Sequence, residues 1–301
     1  VSPILLIGGP TATGKSSIAL SIAESYGAVV VSADAMTVWR TLDVGTAKPS
    51  ADELARVHHF CVNVRNIDEE YNVSDFTAEV AQARSDHQRV IVAGGTPFWL
   101  AALVRPHAKL PAPDPTIRRE LEAQDNLWDR LQQVDPVLAT RLHPNDKVRL
   151  VRALEVQRLT GRPMSEVQAD PPVRPPVDAE VVWLDREDLR DRIGQRIEIM
   201  LQQGYLDEVR GVLARGAPRS SRPLRSFAYR HFVDHIADGL PLEEAVRRTE
   251  RDTWKLARKQ RTWARGLGWT ASSIEEAWRA ADRLWGEPPA SSSAPDRLDI
   301  S

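Results

Sequence analysis

An α/β fold, a parallel sheet flanked by helices and interrupted by a helical insertion, is predicted by three observations. The first is a set of short, nearly continuous aliphatic runs: Ile4-Leu5-Leu6-Ile7, Ala28-Val29-Val30-Val31 and Val90-Ile91-Val92-Ala93. Strands covered on both faces read this way, since neither face alternates with solvent. The second is that stretches of helical period separate these runs, which implies parallel neighbours. The third is a charged, helical block from about 111 to 178 with no strand candidate.

The first run passes directly into Gly9-Pro10-Thr11-Ala12-Thr13-Gly14-Lys15-Ser16, which fits G-x-x-x-x-G-K-[ST]. Ile18, Ala19, Ile22, Ala23 and Tyr26 then recur at helical spacing, and Gly27 suits the stop. Strand, loop and helix in that order are what the motif needs. The loop N–H groups and the helix N-terminus face phosphate, Lys15 adds a mobile charge, and the Ser16 hydroxyl can reach Mg²⁺. The core is therefore expected to be P-loop NTPase-like. The motif specifies phosphate, not whose phosphate.

Two further strands end informatively. Val90–Ala93 runs into Gly94-Gly95-Thr96, with none of the acid that positions Mg²⁺ in motor and switch ATPases. Ala28–Val31 instead leads to Ser32-Ala33-Asp34, so Asp34 is placed near the carboxyl ends of the strands, where such sheets bind ligands. A carboxylate there can serve as a general base, hold a metal, or cap the following turn. Val181-Val182-Trp183-Leu184 is a later strand candidate.

Residues 1–110 and 179–285 are accordingly assigned to the core with its C-terminal helices, and 111–178 to the insertion. The Pro-rich stretch Asp170–Pro176 reads as an extended linker, and 286–301 as a disordered tail. On the helix expected at 243–265, Val246, Thr249, Thr253, Leu256, Gln260 and Trp263 fall on one stripe. The nine tryptophans are read as packing. Adjacent His58 and His59 point to different faces and suit a structural or substrate-side role better than a metal pair.

Composition excludes several classes. At 301 residues, 42% hydrophobic and 27% charged, the chain reads as a soluble globular protein. One cysteine, Cys61, allows no internal disulfide, no apolar run reaches a membrane span, and no signal-peptide pattern opens the chain. A cytoplasmic protein is expected. The net charge of −2 hides a local excess: Arg247, Arg248, Arg251, Lys255, Arg258, Lys259, Arg261 and Arg265 face only Glu250 and Asp252. That segment can neutralise phosphates or form a solvated helix face.

Longer motifs narrow the reading. Ser32-Ala33-Asp34-Ala35-Met36-Thr37-Val38-Trp39-Arg40 precedes Leu42-Asp43-Val44-Gly45-Thr46-Ala47-Lys48-Pro49. Then come His58-His59, Gly94-Gly95-Thr96, Asp114-Pro115 with Arg118, His143-Pro144-Asn145-Asp146, Arg149, and Arg152 to Val156. Thr160-Gly161-Arg162-Pro163, Gly204 to Val209, Arg225 to Tyr229, Lys259-Gln260 and Thr262-Trp263 complete the series. Taken with the phosphate loop, this ordered set resembles the tRNA dimethylallyltransferases over most of the chain.

That resemblance implies dimethylallyl diphosphate on the loop residues Gly9 to Ser16, Mg²⁺ at Ser16, and alkylation of N6 of the adenine 3′ to the anticodon. Asp34 corresponds to the general base, and Lys15 with Arg225 to groups acting on the diphosphate; only the resemblance singles out Arg225. Lys255 and Arg258 are further candidates there. Asp34, Ala35, Met36, Thr37, Thr96, Arg118, Val148, Arg149 and Arg152 correspond to positions that meet the tRNA anticodon stem-loop. Arg149 and Arg152, three apart on a helix, share a face. The insertion would then face tRNA, with the chain acting as a monomer. Thr37, Trp39, Pro97, Trp99, Val148, Ala228 and His231 depart from the usual residues. Prenylation of free adenine nucleotides, a small-molecule kinase and a non-catalytic RNA-binding homologue remain the alternatives.

Overall fold

The computed structural model describes residues 2–105, 108–172 and 175–288. Two compact units emerge, Val1–Val104 with Val177–Ser301, and Arg105–Pro176. The first opens with β1 (Ile4–Gly8), α1 (Lys15–Tyr26), β2 (Val29–Ser32), α2 (Ala51–Arg56), β3 (His59–Phe60), α3 (Val73–Asp86), β4 (Val90–Gly94) and α4 (Pro97–Val104). The second holds α5 (Pro115–Glu122), α6 (Leu127–Val134), α7 (Pro136–Ala139), α8 (Lys147–Thr160) and α9 (Met164–Ala169). The chain then returns through β5 (Ala179–Leu184), α10 (Leu189–Gln202), α11 (Tyr205–Ala214), α12 (Arg230–Asp238), α13 (Leu242–Leu267), β6 (Ala271–Ser272) and α14 (Ile274–Trp285).

All strand pairs are parallel, in the order β3-β2-β4-β1-β5-β6. The chain builds on one side of β1 first, inserts β4 between β2 and β1, then crosses to the other side. Such a reversal opens a crevice at the carboxyl ends of the strands. Alternate residues of β1 enter opposite layers. Leu5 and Ile7 join Val30, Ile91 and Val182 beneath α1 and α14. Ile4 and Leu6 join Val29, Val31, Val90 and Val92 against the layer containing α3, α4 and α10 to α13. Burial on both faces explains the aliphatic runs: an alternating strand would have placed polar groups in one of these layers.

The two-residue strands β3 and β6 escaped the sequence reading, since so short a segment has no period. Beside β3, the His58 ring stands edge-on to Phe60 at 4.6 Å, and His59 Nδ1 lies 2.8 Å from the Val57 carbonyl. The pair is structural at the sheet edge. The stripe expected on α13 also shifts: its buried line is Ala245, Thr249, Asp252, Ala257, Gln260 and Ala264. Small alanines let α13 pack closely, and Trp263 falls outside the line.

The second unit has its own apolar core of Leu121, Leu127, Leu131, Leu138, Leu150, Val151 and Leu154. Two buried acids tie it together. Asp135 accepts from Leu138 N–H, Ser165 N–H and the Ser165 hydroxyl. Glu155, fully buried on α8, accepts from Asp114 N–H, Arg118 Nε and Arg152 Nη1 at 2.7, 2.9 and 2.5 Å. Of the tail expected at 286–301, residues from 289 onward lie outside the described ones, as do Val173 and Arg174 of the linker.

Candidate active site

The loop Gly9–Gly14 joins the carboxyl end of β1 to α1. Gly9 is required by close approach: a Cβ there would lie 2.4 Å from the Leu184 carbonyl of β5. Gly14 caps α1 in the left-handed region at φ 88°, with no side-chain cap and no acid in the first turn. The first helical bond is Ile18 N–H to Gly14 O. The N–H groups before it therefore have no intrahelical acceptor, and the positive helix end stays available to an anion. Thr11 N–H is an exception, because it donates to Gln260 Oε1 at 3.0 Å.

Lys15 is buried, with Nζ donating to Pro10 O and to Thr13 Oγ1. Burial pushes its ammonium pKa down to about 7, the nearby Arg196 guanidinium adds to the fall, and Asp34 opposes it. Arg196 is also lowered by burial and supported by Asp34. A guanidinium stays charged at any working pH, so this lowering measures unrelieved electrostatic tension. Two cations thus share one carboxylate, and neither forms a salt bridge with it. An arriving anion relieves both.

Asp34 follows β2, which β4 separates from β1. Its Oδ1 accepts Met36 N–H at 2.8 Å, so one oxygen caps the turn. The glycines of β4 make the approach possible: a Cβ on Gly94 would lie 2.2 Å from Ala33 O, and one on Gly95 2.7 Å from Gln260 Nε2. Thr96 closes the junction, with N–H to Ala33 O at 3.1 Å and Oγ1 accepting Ala35 N–H at 3.2 Å. Ala35 and Met36 are partly exposed beside Asp34. Thr37 sits differently from its neighbours Ala35 and Met36. It is buried, and its hydroxyl is spent on Ser32 Oγ, Asp34 O and Cys61 O, so it shapes the loop from within.

The segment after Asp34 is clamped in turn. Glu208 on α11 accepts from the N–H groups of Asp43, Val44 and Gly45, and from the Tyr229 hydroxyl at 2.6 Å. A Cβ on Gly45 would lie 2.2 Å from the Tyr205 ring. Lys48 Nζ, almost wholly buried, gathers Trp39 O, Asp43 Oδ1 and Asn63 Oδ1. Burial lowers its pKa and Asp43 raises it. Arg225 lies exposed in the turn 222–229 that Tyr229 closes, with no side-chain partner among the described residues.

Three contributors, Arg192, Arg196 and Asp185, were missed in the sequence, and a fourth, Gln260, was named there without a role. Arg192 Nε donates to Ala12 O at 3.0 Å, and Arg196 lies one turn on; their i, i+4 spacing on an amphipathic helix was the available signal. Gln260 joins the phosphate loop to the Gly95 carbonyl through its two amide atoms. Asp185 ends β5, next to β1, so a strand-end acid does exist besides Asp34. Arg261 holds it at 2.8–3.0 Å through two nitrogens. That pairing removes it as a ready metal ligand.

In the insertion, Arg118 and Arg152 direct their guanidinium groups to Glu155, and Arg152 also reaches Pro111 O at 2.6 Å. Arg149 differs: it is 64% exposed and, among the described residues, pairs with Asp146 alone, at 3.3 Å. The arginines expected to share a face are therefore in unlike states. Val148 is 81% exposed. Ser16 is exposed in the first turn of α1. Among the described residues, no group of three His, Cys, Asp or Glu side chains could hold a metal ion. A metal here would have to rest on Ser16 and on phosphate oxygens, a donor set that suits Mg²⁺.

Fold and site together define an α/β protein of the P-loop NTPase-like class, with Lys15 and Arg196 set near the carboxylate of Asp34. The sequence profile of the IPP transferase family matches residues 37–267, and the chain belongs to that family. It is 41% identical over 269 residues to tRNA dimethylallyltransferase 1 of Citrifermentans bemidjiense, covering 86% of this chain and 88% of that one. The tRNA dimethylallyltransferase of Geobacter metallireducens is 40% identical, covering 87% and 89%. The tRNA isopentenylpyrophosphate transferase of Bacillus halodurans superposes with a TM-score of 0.64 at 27% identity, covering 95% and 96%. A eukaryotic dimethylallyltransferase, from a study of that enzyme acting on tRNA, gives 0.75 at 25% identity, covering 88% and 70%.

Proposed function

We propose that this chain transfers a dimethylallyl group from dimethylallyl diphosphate to N6 of the adenine 3′ to the anticodon in tRNA, as a cytoplasmic monomer. The observation that carries the reading is the pair of cations, buried Lys15 and half-buried Arg196, which have no salt-bridge partner among the described residues and lie near the single carboxylate of Asp34. An anion belongs on the cations and a proton acceptor stands beside it.

The chemistry follows. The N6 lone pair is delocalised into the purine ring, so the amine attacks poorly until its proton is accepted. Asp34 takes that proton as the N6–carbon bond forms. The allylic C–O bond breaks, and diphosphate leaves with the electron pair. Its growing charge is met by Lys15, Arg196 and the N–H groups of the loop Gly9 to Ser16, which the fold holds in place beforehand. Arg192 and Gln260 position the loop without touching substrate. Mg²⁺, held by Ser16 with diphosphate oxygens, would supply further positive charge. Arg225, on the turn that Tyr229 and Glu208 join to the segment after Asp34, is assigned to the diphosphate by family position. Ala35, Met36, Thr96, Arg118, Val148, Arg149 and Arg152 are assigned to the RNA on the same basis, with Thr37 shaping the loop.

Labelled dimethylallyl diphosphate offered in parallel assays to bulk tRNA, AMP and ATP tests the reading. Label is expected in tRNA alone. Equal labelling of AMP would favour a free-nucleotide enzyme, and no transfer to any acceptor would leave a binding protein. Arg225→Ala with an unchanged single-turnover rate would remove that residue from the diphosphate site.

A further inference from the structure

Two strained residues bracket the end of the segment that begins at Asp34. Thr41 and Ala47 have positive φ, 67° and 47°, which residues with side chains disfavour. Such a conformation persists only where its surroundings impose it, and it gathers near functional sites. Glu208 imposes it from α11. Its Oε2 accepts Asp43 N–H at 2.5 Å and Val44 N–H at 2.8 Å, and its Oε1 accepts Gly45 N–H at 3.1 Å. Three successive N–H groups turned toward one point form a concavity for an anion. Here a carboxylate of the same chain fills it.

The fourth donor on that carboxylate comes from the turn 222–229, which carries Arg225. The Tyr229 hydroxyl reaches Oε1 at 2.6 Å, and Tyr229 N–H closes the turn onto Ser226 O. Tyr205, three residues before Glu208 on α11, donates its hydroxyl to Ala228 O and sets its ring edge-on to Tyr229 at 5.3 Å. The start of the turn is fastened to the other end of the segment. Arg222 Nη1 donates to Tyr71 O at 3.0 Å, and the Tyr71 hydroxyl meets Glu79 Oε1 at 3.2 Å. Glu79 Oε2 accepts Cys61 N–H at 2.9 Å, and Thr37 Oγ1 lies between Cys61 O and Asp34 O, at 3.3 and 3.1 Å. Both ends of the turn are thus tied to both ends of the segment 34–45. Arg225 itself is exposed between them.

We propose that Glu208 and Tyr229 are positioning residues, which fix Arg225 relative to the segment that Asp34 begins; this rests on the reading of Arg225 as a group acting on the diphosphate. The Glu208 oxygens are occupied and Tyr229 is fully buried, so neither is offered to substrate. The transfer needs both ends at once: Asp34 takes the N6 proton while charge grows on the departing diphosphate. A misplacement of about 1 Å in either group costs on the order of 10²-fold in rate. Joining the turn and the segment through one carboxylate keeps the two in register. Tyr229→Phe deletes the bond between them and leaves the ring against Tyr205.

The test is single-turnover prenylation of bulk tRNA at saturating dimethylallyl diphosphate, with tRNA affinity and a thermal melt for each protein. The proteins are the wild type, Tyr229→Phe, Arg225→Ala, the double variant, and Glu208→Gln. Tyr229→Phe should slow the bond-forming step roughly 10- to 100-fold, with tRNA affinity within about twofold of wild type. In the Arg225→Ala background the same substitution should cost less than about twofold, because the side chain it aims is gone. Glu208→Gln should slow the step at least as much and lower the melting temperature, since its amide keeps one acceptor oxygen and turns an NH₂ group toward N–H donors. If that variant does not fold, the pair of Tyr229→Phe measurements decides the matter alone. An unchanged rate in Tyr229→Phe, or equal losses with and without Arg225, would overturn the positioning role and leave Tyr229 a packing residue. An unchanged rate in Arg225→Ala would overturn the diphosphate reading of Arg225 and the positioning role with it, and a wild type inactive on tRNA would overturn the function proposed above.

Discussion

Glu155 in the insertion and Asp34 at the end of β2 each sit among basic side chains, yet the geometry differs. Glu155 is fully buried, and Arg118, Arg152 and a backbone N–H occupy its oxygens at hydrogen-bond distance. Asp34 is only partly buried and spends Oδ1 on its own turn. It influences Lys15 and Arg196 through space without bonding either. In the first cluster charge is consumed by structure, so removing the acid strands its partners. In the second the cations remain unsatisfied, and an external anion completes them. Burial alone does not separate the two cases, since Lys15 is itself buried. What separates them is whether the charges already have partners.

The largest effect expected from this contrast is on chemistry. Asp34→Asn should lower turnover roughly 10²- to 10⁴-fold, the usual range for a positioned general base, with an unchanged melting temperature. Near-normal single-turnover chemistry in this variant would remove Asp34 as the proton acceptor. Glu155→Gln should do the reverse. Breaking a buried ion pair costs about 3–5 kcal/mol when its partners stay buried; here Arg118 and Arg152 can turn partly to solvent, so the low end is expected. The measurement is denaturant unfolding, and undiminished stability would erase the contrast.

How far this was readable from residues alone depends on the range of each signal. The phosphate loop and the β1, β2 and β4 runs are local patterns, and the structure has them where the aliphatic runs lie. Asp34 was legible because it follows such a run directly. Arg196 was not, although its charge acts on Lys15, because an arginine on an amphipathic helix usually means solvent. Asp185 and Arg261 lie 76 residues apart, so their pairing has no sequence pattern at all. Trp263, read with the other tryptophans as packing, is 42% exposed for a related reason: helical period finds a face, but the alanines at 245, 257 and 264 decide which face is inside.

A third expectation concerns Lys15 and pH. Its folded pKa, pushed down to about 7, means the ammonium is half neutral near neutrality. Diphosphate needs the charged form, so binding takes up a proton, and affinity should fall as pH rises above about 7. The fall approaches tenfold per pH unit. A terminal phosphate ionises near pH 6, so the diphosphate itself contributes little to that slope. Titration calorimetry between pH 7 and 9 checks it. Lys15→Ala should bind more weakly at pH 7 and lose the slope; a pH-independent wild type would show that the ammonium stays charged.

The smallest expected effect tests the insertion's arginines one at a time. Arg149 is 64% exposed and held only by Asp146, so it can exchange that contact for an RNA phosphate at little cost. Arg152 is committed to Glu155 and Pro111 O, and withdrawing it would uncover a buried carboxylate. If RNA phosphates follow the rule drawn from the two acids, Arg149→Ala should flatten the log–log salt dependence of tRNA affinity by about 0.7–0.9, the value of one lost phosphate contact. Arg152→Ala should leave that slope nearly unchanged while lowering the melting temperature. Dimethylallyl diphosphate affinity should stay constant in both, because these arginines belong to the separate unit 105–176. Filter binding across a salt series, beside a thermal melt of each variant, reads all of these quantities. Superimposable salt curves for wild type and Arg149→Ala would make Arg149 a solvated residue. An equal flattening in Arg152→Ala would mean that an arginine bonded to a buried carboxylate still reaches RNA, and that pairing does not withdraw a charge from binding.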